Sequence, residues 1–201
     1  MGILGKDLID DITKMSIEIG LPASFLLDLQ KQEDWSFIIK THAFLEALVS
    51  HAIVETVHRK ELSEILCRLE MGNIQSGKVR IAEKLGLIKV DGKRFLMKLT
   101  SLRNDLAHDV QQVNFKFSVF LQSLDKNQRK EFIKSFSYFA CEDDLRDHYD
   151  LVTDLVVNHT KHAIWLSTMH FTAIMWWKKE NEKLKTLLLA MRKDLVNMET
   201  S

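Results

Sequence analysis

The chain has 201 residues, 46% of them hydrophobic, and sets 28 Lys plus Arg against 28 Asp plus Glu. That is apolar material for one full core, and the zero formal charge excludes a whole-molecule field as the means of drawing the protein onto nucleic acid or an anionic membrane. Cys67 and Cys141 make no disulfide framework and match no zinc spacing, which fits a reducing cytoplasm.

One proline, Pro22, and seven glycines, the last of them Gly92, leave the second half of the chain without the usual helix breakers. An all-α fold is predicted. In chain order, a first helix is expected from about Leu4 to Ile19, stopped by Gly20 and Pro22, with a short second helix after it. "EDWSFIIKTHAFLEALVSHAIVETVH" has apolar residues at the spacing of a long, deeply packed helix, the spine of the core. "KELSEILCRLEMG" reads as a short amphipathic helix capped by Gly72, and "SGKVRIAEKLGLI" as another, followed by a turn at Asp91-Gly92. A loop or short helix then leads to Leu124, and a further helix turns Phe132, Ile133, Phe136 and Phe139 inward. From about Asp143 onward the pattern is helical throughout. A single rod of that length outgrows the domain, so it either bends near Asn158 or projects as an oligomerisation arm. The expected division is a bundle over residues 1–140, with its core at 34–139, and a C-terminal helical extension over 141–201, packed on the bundle or in a dimer interface. The acid-bearing start lacks the basic flank and apolar run of a signal peptide. The stretch from Ala163 to Trp177 is too short and too interrupted by His170 to span a bilayer, so no membrane association is expected.

"LTSLRNDLAHDV", Leu99 to Val110, is the segment that asks for an explanation beyond packing. On a helical wheel Phe95, Leu99, Leu102, Leu106 and Val110 share one apolar arc, and Thr100, Ser101, Arg103, Asn104, Ala107, His108 and Gln111 are assigned to the other side. The polar side offers a fixed cation, an amide and a group that titrates near neutrality. Those are the parts needed to grip a phosphodiester and move a proton. From Lys78 to Arg103 the chain carries eight Lys or Arg against Glu83 and Asp91, a local basic strip on a neutral protein.

"LGLIKVDGKRFLMKLTSLRNDLAH" resembles the signature of the HEPN superfamily, all-α domains with R-x4-6-H on a core helix, commonly as LRNxxAH; the resemblance covers roughly Asp34 to Phe139. It implies a HEPN-like helical bundle and, in many members, a metal-independent endoribonuclease with its active site at a dimer interface, leaving 2′,3′-cyclic phosphate and 5′-hydroxyl ends. Carried over, His108 is the acid/base at the ribose hydroxyl or leaving oxygen, Arg103 stabilises the phosphorane charge, and Asn104 orients the phosphate or His108. Lys93, Arg94 and Lys98 are the residues expected to hold the nucleic acid. The implied partners are RNA, a second copy of the chain and an antitoxin or regulatory protein, in a toxin or phage-defence setting, with no cofactor and no metal. One toxin group in the superfamily carries a modifiable tyrosine two residues after the histidine; here that position is Val110. The layout is also similar to the mannitol operon repressor family, which implies the alternative of a non-catalytic regulatory or interaction protein. No helix-turn-helix is identifiable.

Other constellations read as packing or surface. His51, Glu55 and His58 lack the second Glu-x-x-His of a di-iron bundle. His159 and His162 near Asp154 are assigned to solvent or an interface. Glu46, on the spine helix, needs a partner if buried; Arg103 is the one considered, its guanidinium oriented by the carboxylate, with a plain surface glutamate as the other reading. Trp176 and Trp177, followed by Leu184, Leu187, Leu188 and Met191, are expected to form an apolar dimer or partner surface, with base stacking beside Lys178 and Lys179 as the other reading.

Overall fold

The computed structural model describes the backbone of residues 3–108, 110–140 and 142–199, and the side chains of residues 9–108, 112–140 and 145–181. Every regular element among them is helical. The chain runs through α1 (Ile3–Glu18), α2 (Phe25–Leu29), α3 (Asp34–Val57), α4 (Ser63–Leu66), α5 (Lys78–Lys84), α6 (Val90–Ala107), α7 (Phe117–Ser123), α8 (Lys126–Phe136), α9 (Glu142–Asp147), α10 (Tyr149–Asn158) and α11 (Thr160–Glu199), with 3-10 turns at Lys60–Leu62 and Val110–Asn114.

The spine is α3. Its buried residues, among them Phe37, Phe44, Leu45, Leu48 and Ile53, wrap around much of the helix, because α6 and α5 pack on one side and α11 on another. By length and composition α3 is apolar enough to cross a membrane, with a mean hydropathy of 1.4, and half of that window is buried inside the fold. This apolar span lies in the spine and not in the 163–177 stretch that the sequence singled out. The helix closes at His58, which takes a left-handed conformation (φ 52°) usually left to glycine or asparagine.

One core runs from Ile12 and Met15 in α1 to Phe171 and Met175 in α11. The described part of the C-terminal segment is therefore built into the bundle: Ala163, Ile164 and Phe171 are fully buried. Ser167, Thr168 and Thr172 are buried beside them and satisfy their hydroxyls on backbone carbonyls, Ser167 on Phe136 O at 3.2 Å and the threonines on their own helix. The long C-terminal pattern does break near Asn158: α10 ends there, His159 leaves helical geometry (φ −128°, ψ 43°), and α11 starts anew. The expected stripe at Leu184, Leu187, Leu188 and Met191 lies outside the described side chains.

Two local expectations fail. Asp91 and Gly92 form no turn; both sit in the first turn of α6. Gly92 is buried there, and a Cβ on it would stand 3.2 Å from the Tyr138 hydroxyl, a tight approach that glycine avoids. The break comes earlier, at Gly86, with φ +72°. The helix expected to run to Gly72 stops at Leu66 after a 3-10 start, and Gly72 lies against Thr100 of α6.

Candidate functional site

The site grows from the buried face of α6. Phe95, Leu96, Leu99, Leu102 and Leu106 are in the core as their spacing demands, while the side chain of Val110 is outside the described set. Thr100 departs from the polar side to which it was assigned: it is buried against α3. Its hydroxyl donates to Leu96 O at 2.8 Å and lies 3.2 Å from His42 Nε2. The other ring nitrogen of His42, Nδ1, faces Glu46 Oε2 at 3.8 Å.

Glu46 has a partner, and it is Lys78. The Lys78 ammonium reaches Glu46 Oε1 at 2.6 Å, and its side chain is only 4% exposed. Neither of the two readings of Glu46, a partner of Arg103 or a plain surface glutamate, describes this pair. The geometry explains why: α5 starts at Lys78 directly across from the middle of α3, and a buried lysine tolerates no unpaired charge. Burial is the main reason that His42 is pushed down to about 4; Glu46 opposes the shift, and the positive charges of Arg103 and Lys78 add to it.

Arg103 therefore sits at the rim of a buried polar cluster and not opposite the core. On the wheel it falls between Leu99 and Leu96, about 40° and 20° away, and it is half-buried. Its Nη1 donates to Asn104 Oδ1 at 3.0 Å, and among the described residues it has no carboxylate partner. The Asn104 amide oxygen is thus engaged by the guanidinium of its neighbour. His108 is exposed and is the residue that closes α6, its backbone N–H bonded to Asn104 O at 3.2 Å. Trp35, near the start of α3, donates its indole N–H to Leu106 O at 3.2 Å and fastens this end of α6 to the spine.

The basic strip is partly cancelled. Lys93 binds Glu83 at 2.8 Å and Arg94 binds Asp91 at 2.8 Å, with Arg80 also near Glu83. Of the three residues expected to hold nucleic acid, Lys98 is the one without an acidic partner among the described residues.

Two of the histidines singled out in the sequence have close neighbours: His162 meets Gln30 at 3.0 Å and stacks on Trp165, while His51 Nε2, buried and without a hydrogen bond, lies 3.7 Å from Glu18 Oε2. Trp176 packs on the core under the Lys179 ammonium, and Trp177 is 66% exposed. Among the described residues no group of three His, Cys, Asp or Glu side chains converges as a metal site.

Sequence reasoning missed Lys78, Thr100 and His42 as members of the cluster. The one local signal was the i, i+4 spacing of His42 and Glu46 on α3. Searches of protein-family models, curated proteins and solved structures return no match to this chain.

Proposed function

We propose that the chain is a HEPN-like endoribonuclease that works without metal as a homodimer, in a toxin or phage-defence role in the cytoplasm. The observation that supports this reading is the arginine: a half-buried guanidinium, steered by Asn104, with no acid beside it among the described residues, five positions from an exposed histidine at the end of the same helix. A cation held in that way is available for a phosphate.

The chemistry follows from the residue types. The ribose 2′-oxygen loses its proton to a histidine and attacks phosphorus, the P–O5′ bond breaks, and the leaving 5′-oxygen takes up the proton that the histidine acquired. Arg103 neutralises the charge that builds on the non-bridging oxygens. Because Arg103 and His108 are about 140° apart around α6, two copies of the helix facing each other across a two-fold axis place Arg103 of one beside His108 of the other.

The test uses purified protein and RNA in excess EDTA. Cleavage to cyclic-phosphate and 5′-hydroxyl ends, abolished by Arg103→Ala and by His108→Ala, is the expected result. A mixed dimer of the two variants should regain part of the activity. Cleavage that needs added divalent metal, or that survives both substitutions, overturns the reading.

The cancelled charges at Lys93 and Arg94 favour a second reading, a non-catalytic regulator similar to the mannitol operon repressor family. In that case the Arg103 face binds a protein partner and no RNA is cut.

A further inference from the structure

At the opposite end of α6 from His108, a cavity of about 880 Å³ opens between α6, α8, α10 and α11. Its size falls within the range of small-molecule sites, roughly 300–1,000 Å³. Ile88, Ile133, Val152, Ile174 and Met175 supply aliphatic walls, and Tyr138, stacked on Phe95 at 5.4 Å, supplies a rigid aromatic one. Tyr149 and Trp177 stand at the mouth, 52% and 66% exposed. Ser137, Thr153 and His170 add uncharged polar residues to the lining.

Among the described lining residues the charges are mostly positive. Lys89, Arg94, Lys130, Lys134 and Lys178 border the cavity, against Asp91 among the described lining residues. Two of the cations are engaged: Arg94 with Asp91, and Lys178 with the carbonyls of Gly86 and Leu87 at 2.8 and 2.7 Å. Lys89, Lys130 and Lys134 are exposed and have no acidic partner among the described residues. Lys130 and Lys134 are one helical turn apart on α8, so their ammonium groups rise from the same edge of the cavity. Crowding of like charge is already felt: after burial, Lys89 is the reason that the Lys178 ammonium lies below its ordinary value.

We propose that this cavity binds a small anionic amphiphile, its apolar body against Ile133, Val152 and Ile174 and its charged head met by the ammonium groups of Lys89, Lys130 and Lys134. Walls that are mostly aliphatic and aromatic, with Ser137, Tyr138, Thr153 and His170 as their uncharged polar members, suit an aliphatic or plain aromatic body. A nucleobase asks for more donors and acceptors along its edge than such walls supply. The lysine edge selects for negative charge, as charge-assisted contacts at the mouth of a low-dielectric cleft do.

The test compares two dyes that differ by one sulfonate, 8-anilinonaphthalene-1-sulfonate and the uncharged N-phenyl-1-naphthylamine, titrated into the full chain. The sulfonate should bind one to one and about tenfold more tightly than the neutral dye, and dodecanoate should displace it where dodecanol and adenosine monophosphate do not. Lys130→Glu/Lys134→Glu changes only exposed side chains. It should leave the thermal melting curve and the neutral dye in place and weaken the sulfonate by about tenfold or more. Val152→Trp, which fills the cavity, should remove both dyes. Equal affinity for the two dyes, displacement by adenosine monophosphate instead of dodecanoate, or sulfonate binding that survives both variants overturns the proposal.

Discussion

Lys78 Nζ lies 2.6 Å from Glu46 Oε1, and the two partners are unequally buried, with side-chain exposures of 4% and 28%. Removing one partner is therefore not equivalent to removing the other. Glu46→Gln strands an ammonium that water hardly reaches and should cost about 3–5 kcal/mol. Lys78→Met leaves a carboxylate that water can still solvate and should cost about 1–3 kcal/mol. Urea unfolding at neutral pH measures both; equal losses, or the reverse order, would show that Lys78 is better hydrated than its position implies.

His42 gives the fold a pH dependence with a definite sign. Its folded-state value of about 4 lies below the ordinary 6.5, so the unfolded chain takes up a proton first as pH falls. Its contribution is complete above pH 6.5, declines between 6.5 and about 4, and changes no further below that, a total on the order of 3 kcal/mol. Burial also lowers His51 and His170, but they remain in a His42→Gln variant. Subtracting the variant's stability profile from that of the native chain isolates His42, and a flat difference across this window would refute the assignment.

Gly72 and Thr100 form a steric pair across α6. A Cβ on Gly72 would come within 2.8 Å of Thr100 Cγ2, and Thr100 is buried, β-branched and hydrogen-bonded to both Leu96 and His42. Gly72→Ala should therefore destabilise by about 1–3 kcal/mol. Thr100→Ser keeps the hydroxyl and deletes the offending methyl, so the same alanine should cost clearly less in that background. A thermal-melting double-mutant cycle reads the difference, and additivity would exclude the contact as the cause.

Asn104 is the lever on the arginine. If the proposed cleavage is correct, Asn104→Ala frees the guanidinium without removing it, and single-turnover RNA cleavage should fall by about 10- to 100-fold. Arg103→Ala should fall further. Loss of activity at Asn104 with an unaltered response to added phosphate ions in the melting curve would place its role on His108 instead.

The sequence made α3 legible because an apolar run that long, free of Gly and Pro, has few other fates. It also made the inward leucines of α6 and the break at Asn158 legible, since both depend on local spacing. The start of α6 was misread because Asp-Gly signals a turn locally, while the contact that overrides it, Gly92 against Tyr138, joins residues far apart in the chain. The Lys78–Glu46 pair hid for the same reason: 32 positions separate its members. Arg103 was placed on the wrong side because the wheel was divided by polarity, and a long side chain at the rim of a core belongs to both sides. The cavity is assembled from several separate segments and leaves no trace at any single one.

Helix α6 is held at its N-terminal end by Gly92 lying flush against Tyr138 and at its C-terminal end by the Trp35 indole on the Leu106 carbonyl. It behaves as a beam clamped at two supports. Arg94 at the cavity and Arg103 at the opposite end ride on that beam, nine residues or about 13 Å apart along its axis. The backbone positions that carry the two cations are thereby held at a constant spacing on one rigid element.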